Sequence, residues 1–179
     1  MFILYAIPIG IIAGWLAGGH LDHLAAVRIR WAPVALIGLL VQVVIFTEPF
    51  ASAVGDAAPA VFVASSLAVL AVVLRNLDIP WVWLIAVGAG CNLAAIVANG
   101  GWMPADPRAL ASVGGAPSGP SNSIVVPDPA LAPLTDLFAL PAWLPFANVF
   151  SIGDVLMAIG IAATIATAMR RAPIAEPVR

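Results

Sequence analysis

The sequence has no lysine and few charges of either sign. Of its 179 residues, 9% are charged, and all seven basic residues are arginine. In a soluble domain of this length about a quarter of the residues are charged, because they cover the surface. Here 63% of the residues are hydrophobic and the mean hydropathy is +1.08. The composition therefore predicts an integral membrane protein that is solvated mainly by lipid.

Two further shortages exclude other classes of protein. There is a single cysteine, Cys91, so no disulfide can form within the chain. Its position inside an apolar run is typical of a small buried hydrophobic residue. No cluster of basic residues forms the positive patch that nucleic acid requires. We therefore expect membrane lipid as a partner, and no nucleic acid.

Long apolar runs are what the sequence does contain. A helix needs about 20 mostly apolar residues to cross the hydrocarbon core of a bilayer, and five segments reach or approach that length. We therefore predict an all-α integral membrane fold with five transmembrane helices, as a single membrane domain over residues 1–179. The spans are expected at about residues 2–18, 31–47, 58–74, 80–98 and 152–169. No basic region precedes the first span, so a removable signal peptide is not expected.

The arginines predict the orientation in the membrane. Basic residues follow the first, third and fifth spans, whereas the segments after the second and fourth spans contain only Arg108. Cytoplasmic segments carry an excess of basic residues, so the N-terminus is predicted outside and the C-terminus inside. The arginines assigned to the cytoplasmic side are Arg28, Arg30, Arg75, Arg170 and Arg171.

The segment from about residue 101 to residue 145 differs from the rest of the chain. It contains "GGAPSGPSNS" and nine prolines, and proline disfavours both helix interiors and central strands. We expect a long extracytoplasmic loop without a helix, between the fourth and fifth spans. Residues 112–123 equally suit a flexible tether. Residues 134–150 carry aromatic side chains that need burial, so they are expected to pack back onto the membrane surface, as a re-entrant cap.

Small residues at helical spacing predict which helix faces pack together. In lipid, helices associate through close backbone approach and polar contacts. Three faces of this kind are expected to contact protein and not lipid: Gly10, Gly14 and Gly18; Gly88, Asn92, Ala95 and Asn99; and Ala158, Ala162 and Ala166.

Polar side chains inside spans are costly, so they mark function or specific packing. At a rise of about 1.5 Å per residue, most of them fall in the outer half of the membrane, and the inner half offers only Thr164 and Thr167. This distribution predicts an outward-facing polar pocket between the fourth and fifth spans, and it argues against a continuous polar pore. The candidate residues for binding a ligand or partner are Gln42, Asn92, Asn99, Gly100, Gly101, Met103, Ser151 and Asp154.

Two parts of this candidate pocket also have structural interpretations. In "SIGD", Ser151 precedes Asp154 by three residues, which is the spacing of an N-terminal capping box. Asn99 can end a helix if Gly100 or Gly101 adopts a left-handed conformation, with Pro104 preventing continuation. For each position, the structural role and the pocket role remain open alternatives.

No catalytic residue, metal or cofactor is assigned. His20, Asp22 and His23 lie together in the first cytoplasmic loop, but their spacing matches no zinc pattern. We expect a solvated loop there.

Two motifs carry a family resemblance. "NLAAIVANGGWMP" at the end of the fourth span and "FSIGDVLMAIGI" at the start of the fifth resemble an uncharacterised family of bacterial multi-pass membrane proteins. The resemblance extends to the glycine-rich first span and to "GGHLDHL". It implies about five spans in a bacterial cytoplasmic membrane, and no particular activity.

A second resemblance concerns chemistry. "FANVFSIGDVLMAIG" is similar to the last-helix motif of lipoprotein signal peptidases, in which two aspartates share a proton. The resemblance implies that Asp154 matches one of these acids and that Asn92 matches the asparagine of the preceding helix. Ala95 stands where the second acid of that pattern would be.

The leading functional hypothesis is a non-catalytic accessory, assembly or ligand-binding subunit that uses the outer pocket, alone or with other membrane protein subunits. The alternatives are a small permease or channel, and an intramembrane aspartyl hydrolase.

Overall fold

The computed structural model describes residues 2–115 and 122–171. It is mostly helical, with 64% of the residues in helices, which confirms the predicted helical class. Half of residues 112–123, which suit a flexible tether by sequence, lie in the gap at 116–121 and so fall outside the described residues.

Five longer helices form over the five apolar segments. They are α1 (Ala6–Leu16), α2 (Ala32–Val44), α4 (Ala58–Arg75), α5 (Val82–Ala98) and α7 (Ile152–Arg170). A 3₁₀ turn at Phe2–Tyr5 leads into α1, another lies at Leu21–Ala26, and the short helix α3 (Phe50–Val54) is joined to α4 by a third at Gly55–Ala57. Pro33 and Pro59 stand in the first turns of α2 and α4, where a missing N–H removes no helical hydrogen bond.

Two of these helical stretches are long and apolar enough to cross a membrane. They are Phe50–Arg75 and Ile152–Arg170, and only 22% of the most apolar window of each is buried inside the protein. The core helix of a soluble protein would be mostly buried, so these surfaces indicate a membrane protein. The apolar helices Phe2–Leu16, Ala32–Val44 and Val82–Ala98 are shorter.

The longer helices form a row in the order α1, α7, α5, α4, α2, in which each helix packs mainly against its neighbours. Contacts along the row give the directions. Gly10 lies against Ala162 and Gly14 against Ala166, so α1 and α7 are parallel. Gly88 lies against Gly153 and Trp81 against Thr167, so α5 and α7 are antiparallel. The pairs α4 with α5 and α2 with α4 are also antiparallel.

These directions divide the bundle into two ends. The loop end contains the start of α1, residues 45–57, residues 99–115 and residues 122–151. The arginine end contains residues 17–31, residues 76–81 and the end of α7. At the arginine end the Asn76 side chain accepts from Arg30 N at 2.8 Å and donates to Arg30 O at 3.0 Å. Arg30 also forms a salt bridge with Asp78.

The glycine face of α1 packs against α7, with one exception. A Cβ on Gly10 would lie 2.8 Å from the carbonyl oxygen of Ala162, so only glycine permits this separation of the two backbones. Gly18, predicted to be on the same face, is exposed and has φ of 78°. Because α1 ends at Leu16, Gly19 takes the contact with Met169 instead.

The loop between α5 and α7 has local structure of its own. The two-residue strands β1 (Met103–Pro104) and β2 (Ser123–Ile124) pair in parallel, and β3 (Phe138–Ala139) pairs antiparallel with β4 (Val149–Phe150). The expectation that the loop contains no helix is wrong, because α6 spans Pro107–Ser112. The Asp106 carboxylate accepts from Arg108 N and Ala109 N as an N-cap, and Pro107 occupies the first turn, where proline is tolerated.

The second half of the loop packs against the start of α1. Phe150 stacks on Phe2 with ring centroids 4.1 Å apart, and Phe138 packs on the other side of Phe150 at 5.5 Å. The Tyr5 hydroxyl donates to the carbonyl oxygen of Pro145. Trp143 and Phe146 remain exposed, at 80% and 69%. The loop therefore covers the loop end of the bundle.

Candidate functional site

A closed ring of hydrogen bonds joins α5 to the start of α7. Asn92 Nδ2 donates to Asp154 Oδ1 at 2.8 Å, and Ser151 Oγ donates to Asn92 Oδ1 at 2.7 Å. Asp154 N donates to Ser151 Oγ, and Ser151 N donates to Asp154 Oδ2, both at 3.0 Å. The "SIGD" capping box is thus formed as its spacing indicates. The amide of Asn92 joins both members of the box, which gives this pair of helices a fixed register.

Asn99, predicted to share this cluster, lies elsewhere. Its Nδ2 donates to Ala95 O at 2.7 Å and to Ala130 O at 2.9 Å, and Ala130 N donates to its Oδ1 at 2.9 Å. Asn99 therefore ends α5 and fixes the loop to it through Ala130. The Asn99 side chain bonds to Ala130 and not to Asn92 or Asp154, because the loop passes over the end of α5 at the level of Asn99.

The glycines after Asn99 act as the helix-stop interpretation predicts. Gly100 and Gly101 have φ of 71° and 92°, and Gly101 N donates to Ile96 O at 2.8 Å, which satisfies a carbonyl at the helix end. Gly101 also lies against Pro59 of α4 so closely that a Cβ would clash. These two residues shape the turn that carries Met103 back into the protein, where it is 3% exposed.

A cavity of about 720 Å³ lies beneath the loop. Four helices contribute to its wall: α2 with Gln42, α4 with Ser66, α5 with Asn92, and α7 with Asp154. Gln42 Nε2 donates to Ser66 Oγ at 3.2 Å. The loop closes the outer side with Met103, Asn122, Asp136 and Asn148. Its volume lies in the range of about 300–1,000 Å³ that is usual for small-molecule sites.

The polar side chains of the cavity wall all lie towards the loop, where they are mixed with apolar ones such as Phe62, Leu110 and Val149, whereas the wall at depth is apolar. The four polar helix residues lie at similar levels, because Gln42 meets Ser66 and Asn92 meets Asp154. One turn further towards the arginine end, the wall consists of Leu39, Val69, Leu70, Ala89 and Met157. At the level of the cavity Gly88 lies against Gly153, and further towards the arginine end Ile85 lies against Gly160, so α5 and α7 are in close contact.

Asp136 is the charged lining residue that the sequence did not predict, and Ser66, Asn122 and Asn148 are further polar lining residues outside the predicted set. The backbone of Asp136 pairs with the chain at the end of β1, since Asp136 N donates to Pro104 O at 3.0 Å and Asp136 O accepts from Asp106 N at 2.9 Å. The residue is only 6% exposed, and no side-chain hydrogen bond to it forms within the described residues. Burial, and secondarily the negative charge of Asp154, raises the pKa of Asp136 to about 7.

The predicted site residues divide into two groups. Gln42, Asn92, Met103 and Asp154 line the cavity, and Ser151 supports Asn92 and Asp154 from behind while being fully buried. Asn99, Gly100 and Gly101 do not line it. The predicted pocket between the fourth and fifth spans is therefore wider than expected, since α2, α4 and the loop contribute as much of its wall as α5 and α7 do.

Asp136 is a second aspartate at the cavity, but it does not form an aspartyl dyad with Asp154. Ala95, where the resemblance lacks an acid, is fully buried against Phe62 and Ile96. Asp136 brings a second carboxyl group to the cavity from the loop. Yet both oxygens of Asp154 accept hydrogen bonds from Asn92 and Ser151. No hydrogen bond joins Asp136 to Asp154 among the residues described, whereas a catalytic dyad shares a proton across such a contact.

A comparison with models of protein families identifies the family to which the chain belongs. The model of a family of unknown function, DUF5317, matches residues 26–166. The chain belongs to this family. The part that matches DUF5317 runs from the loop after α1 into α7, and so includes the Asn92 ring, Asp136 and the whole cavity wall apart from Ile3. No curated protein and no solved structure matches the chain.

Proposed function

We propose that this DUF5317 protein is a non-catalytic ligand-binding subunit of the bacterial cytoplasmic membrane, which takes an amphipathic ligand into the cavity beneath its loop. The carrying observation is the gradient of the cavity wall, from a mixed lining that holds all its polar side chains, Asp136, Asn148 and Asn92 among them, near the loop to an apolar lining at depth. Such a gradient matches a ligand with a polar head and an apolar body.

We also propose that the chain crosses the membrane five times. This topology is supported by five apolar helices that alternate in direction along the chain, and by the large apolar side chains that they expose, such as Trp15 at 70%, Leu36 at 67% and Leu40 at 61%. Water around such surfaces would be unfavourable by about 25 cal/mol per Å², whereas lipid accommodates them. The shorter helices α1 and α2 reach a spanning length only with their flanking turns and with interfacial residues such as Arg30 and Trp31.

The orientation, with the N-terminus outside and the C-terminus inside, is supported by the charges of the two ends. All described arginines except Arg108 lie at the arginine end, and basic residues favour the cytoplasm. The loop end instead carries four acidic residues outside the cavity, Glu48, Asp56, Asp106 and Asp128, and the cavity itself holds Asp136 and Asp154. In this orientation the cavity lies in the outer leaflet.

The permease alternative lacks a route through the inner half. Thr164 Oγ1 donates to Pro80 O at 3.0 Å and Thr167 Oγ1 accepts from Trp81 Nε1 at 3.1 Å, so both hydroxyls are used between α7 and the residues that precede α5. The hydrolase alternative lacks the shared proton described above. Binding without turnover is therefore the function that we favour, including an accessory role beside other membrane subunits.

Topology can be tested with two single-cysteine variants in a Cys91→Ala background. Ser112→Cys lies in α6 of the loop and Ala26→Cys in the loop after α1, and both positions are exposed. A membrane-impermeant maleimide added to intact spheroplasts should label the first and not the second. Labelling of Ala26→Cys alone would reverse the orientation.

Binding can be tested by native mass spectrometry of protein purified in mild non-ionic detergent. We expect a bound amphipathic molecule on the wild type, and its loss from Ala89→Trp, which fills the cavity. Ala94→Trp is the matched control, because Ala94 is on the same helix but exposed. A wild type without any bound molecule, or equal loss from both variants, would overturn the proposal.

A further inference from the structure

The cavity contains an unpaired acid and no base. Asp136 and Asp154 both line it, and no arginine or histidine among the described residues does. Asp154 has both oxygens bonded to Asn92 and Ser151, but the carboxyl group of Asp136 receives no hydrogen bond from any described donor. A buried carboxylate without a donor or a counter-charge is costly.

The protein holds Asp136 in this position by its backbone. The parallel bridge between Ala105 and Asp136 fixes the residue between its neighbours, and Thr135, at 1% exposed, fixes the preceding position by donating to Ala132 O. The side chain thus faces the cavity on a rigid support, which is the condition for recognising a ligand group.

We propose that the head group of the ligand is an ammonium cation, bound by Asp136 and attached to an apolar chain that lies along the deep wall. This inference rests on the proposed function. The ammonium supplies the positive charge and the N–H donors that the described protein groups do not supply to Asp136. Two neighbouring acids disfavour an anionic head such as a carboxylate or a phosphate monoester.

The arrangement of the helices gives the apolar chain a way in from the side. The helices α1 and α2 are at opposite ends of the row and share no extensive contact, yet Ile3 before α1 and Leu39 on α2 both line the cavity. A row whose two ends reach the same cavity must curve around it, so its open side lies between α1 and α2. In the proposed orientation that side faces the outer leaflet, where an amphipathic amine would partition.

The raised pKa of Asp136, about 7, fits this assignment, because a cation would stabilise the ionised form that burial disfavours. The other charged groups around Asp136 are Asp154 on α7 and, on the adjoining strand and α6, Asp106 and Arg108. Asp106 caps α6 through its own carboxylate, and Arg108 is exposed.

The test is the shift in thermal unfolding caused by four probes, measured at pH 8 in non-ionic detergent. Dodecylamine carries both head and chain, dodecanol the chain alone, and butylamine the head with a short chain. Lysophosphatidylethanolamine places the ammonium beside a phosphate, so it distinguishes a phospholipid source from a free amphipathic amine. Ligands that bind only the folded state raise the unfolding temperature in proportion to ln(1 + [L]/Kd).

We expect dodecylamine to bind at least tenfold more tightly than dodecanol or butylamine. Asp136→Asn should reduce this affinity at least tenfold, whereas Asp128→Asn, in an exposed part of the same loop, should leave it unchanged. Equal binding of dodecylamine and dodecanol, or unchanged binding of dodecylamine to Asp136→Asn, would overturn the ammonium assignment. If dodecanol still binds and Ala89→Trp abolishes its binding, the proposed ligand cavity stands and only the head group is wrong. If no probe binds the wild type, both proposals fail.

Discussion

The side-chain amide of Asn92 satisfies Ser151 and Asp154 at the same time, accepting from Ser151 Oγ at 2.7 Å and donating to Asp154 Oδ1 at 2.8 Å. A helix cap usually involves only residues at the start of its own helix, but the cap of α7 also bonds Asn92 of α5. The start of α7 and the middle of α5 are therefore held in one register.

Asn92→Ala should destabilise the protein by about 1–3 kcal/mol, because it removes two interhelical hydrogen bonds and leaves a fully buried hydroxyl with one partner fewer. Ser66→Ala, which loses one bond to Gln42 on a neighbouring helix, should cost less than about 1 kcal/mol. Both can be measured as unfolding in detergent. Equal costs for the two variants would show that the ring adds nothing beyond an ordinary polar contact.

Two glycines on α5 should respond oppositely to alanine. A Cβ on Gly88 would lie 2.9 Å from the backbone nitrogen of Met157 and closer still to the carbonyl of Gly153, whereas one on Gly90 would meet nothing within 4 Å. Gly88→Ala should therefore destabilise the protein by about 2 kcal/mol or more through separation of α5 and α7. Gly90→Ala should be neutral, or stabilising by up to about 1 kcal/mol, because alanine favours the helix. A harmless Gly88→Ala would contradict the close approach of these helices.

Asp136 makes stability depend on pH with a definite sign. Its pKa is about 7 in the folded protein, above the ordinary value of 3.8, so the folded state binds the proton more tightly than the unfolded state does. The free energy of unfolding should therefore be highest at low pH and fall as pH rises from about 4 through 7. Between pH 5 and pH 8 this amounts to about 2–3 kcal/mol.

Asp136→Asn is the control for this pH dependence, since the amide cannot ionise. Unfolding of the variant over the same range should lack the decline due to this group, and the variant should be the more stable of the two at pH 8. A wild type that becomes more stable as pH rises from 5 to 8, relative to the variant, would contradict the burial of this carboxyl group.

Asn99 should control the local stability of the loop more than that of the bundle. Asn99→Ala removes the donors to Ala95 and Ala130 and the acceptor for Ala130 N. Hydrogen exchange at Ala130 N should accelerate, with little change in overall unfolding. Asn99→Asp keeps an acceptor and should preserve protection of that amide. Equal acceleration in both variants would mean that the amide oxygen does not hold Ala130.

The sequence was sufficient for those features that depend on local spacing. Ser151 and Asp154 form a capping box because a separation of three positions brings both side chains to the first helical turn. Asn92 was expected on a protein-facing side of its helix because its neighbours on that face are small. Gly100 and Gly101 end α5 because left-handed conformations cost glycine little.

Features that depend on the path of the loop could not be obtained in this way. Asp136 is buried because a parallel bridge to Ala105 draws it over the helices, and one aspartate in "LTDLF" gives no local signal of that pairing. Asn99 was assigned to the wrong neighbours, because its partner Ala130 approaches from thirty-one residues away. The helix α6 was missed because all prolines were treated as breakers, although Pro107 directly follows a capping aspartate, where proline is compatible with a helix start.

The pairing of α1 with α7 has a consequence for biosynthesis. Synthesis produces α1 well before α7, yet the glycine face of α1 packs against α7, and the His20 amide and the His23 ring are both within hydrogen-bond distance of the carbonyl of Met169, at 2.8 and 2.7 Å. Until α7 has been synthesised, Gly10 and Gly14 lack the helix against which they pack. The bundle is therefore completed only once α7 is present, and α1 waits longest of these helices for its partner.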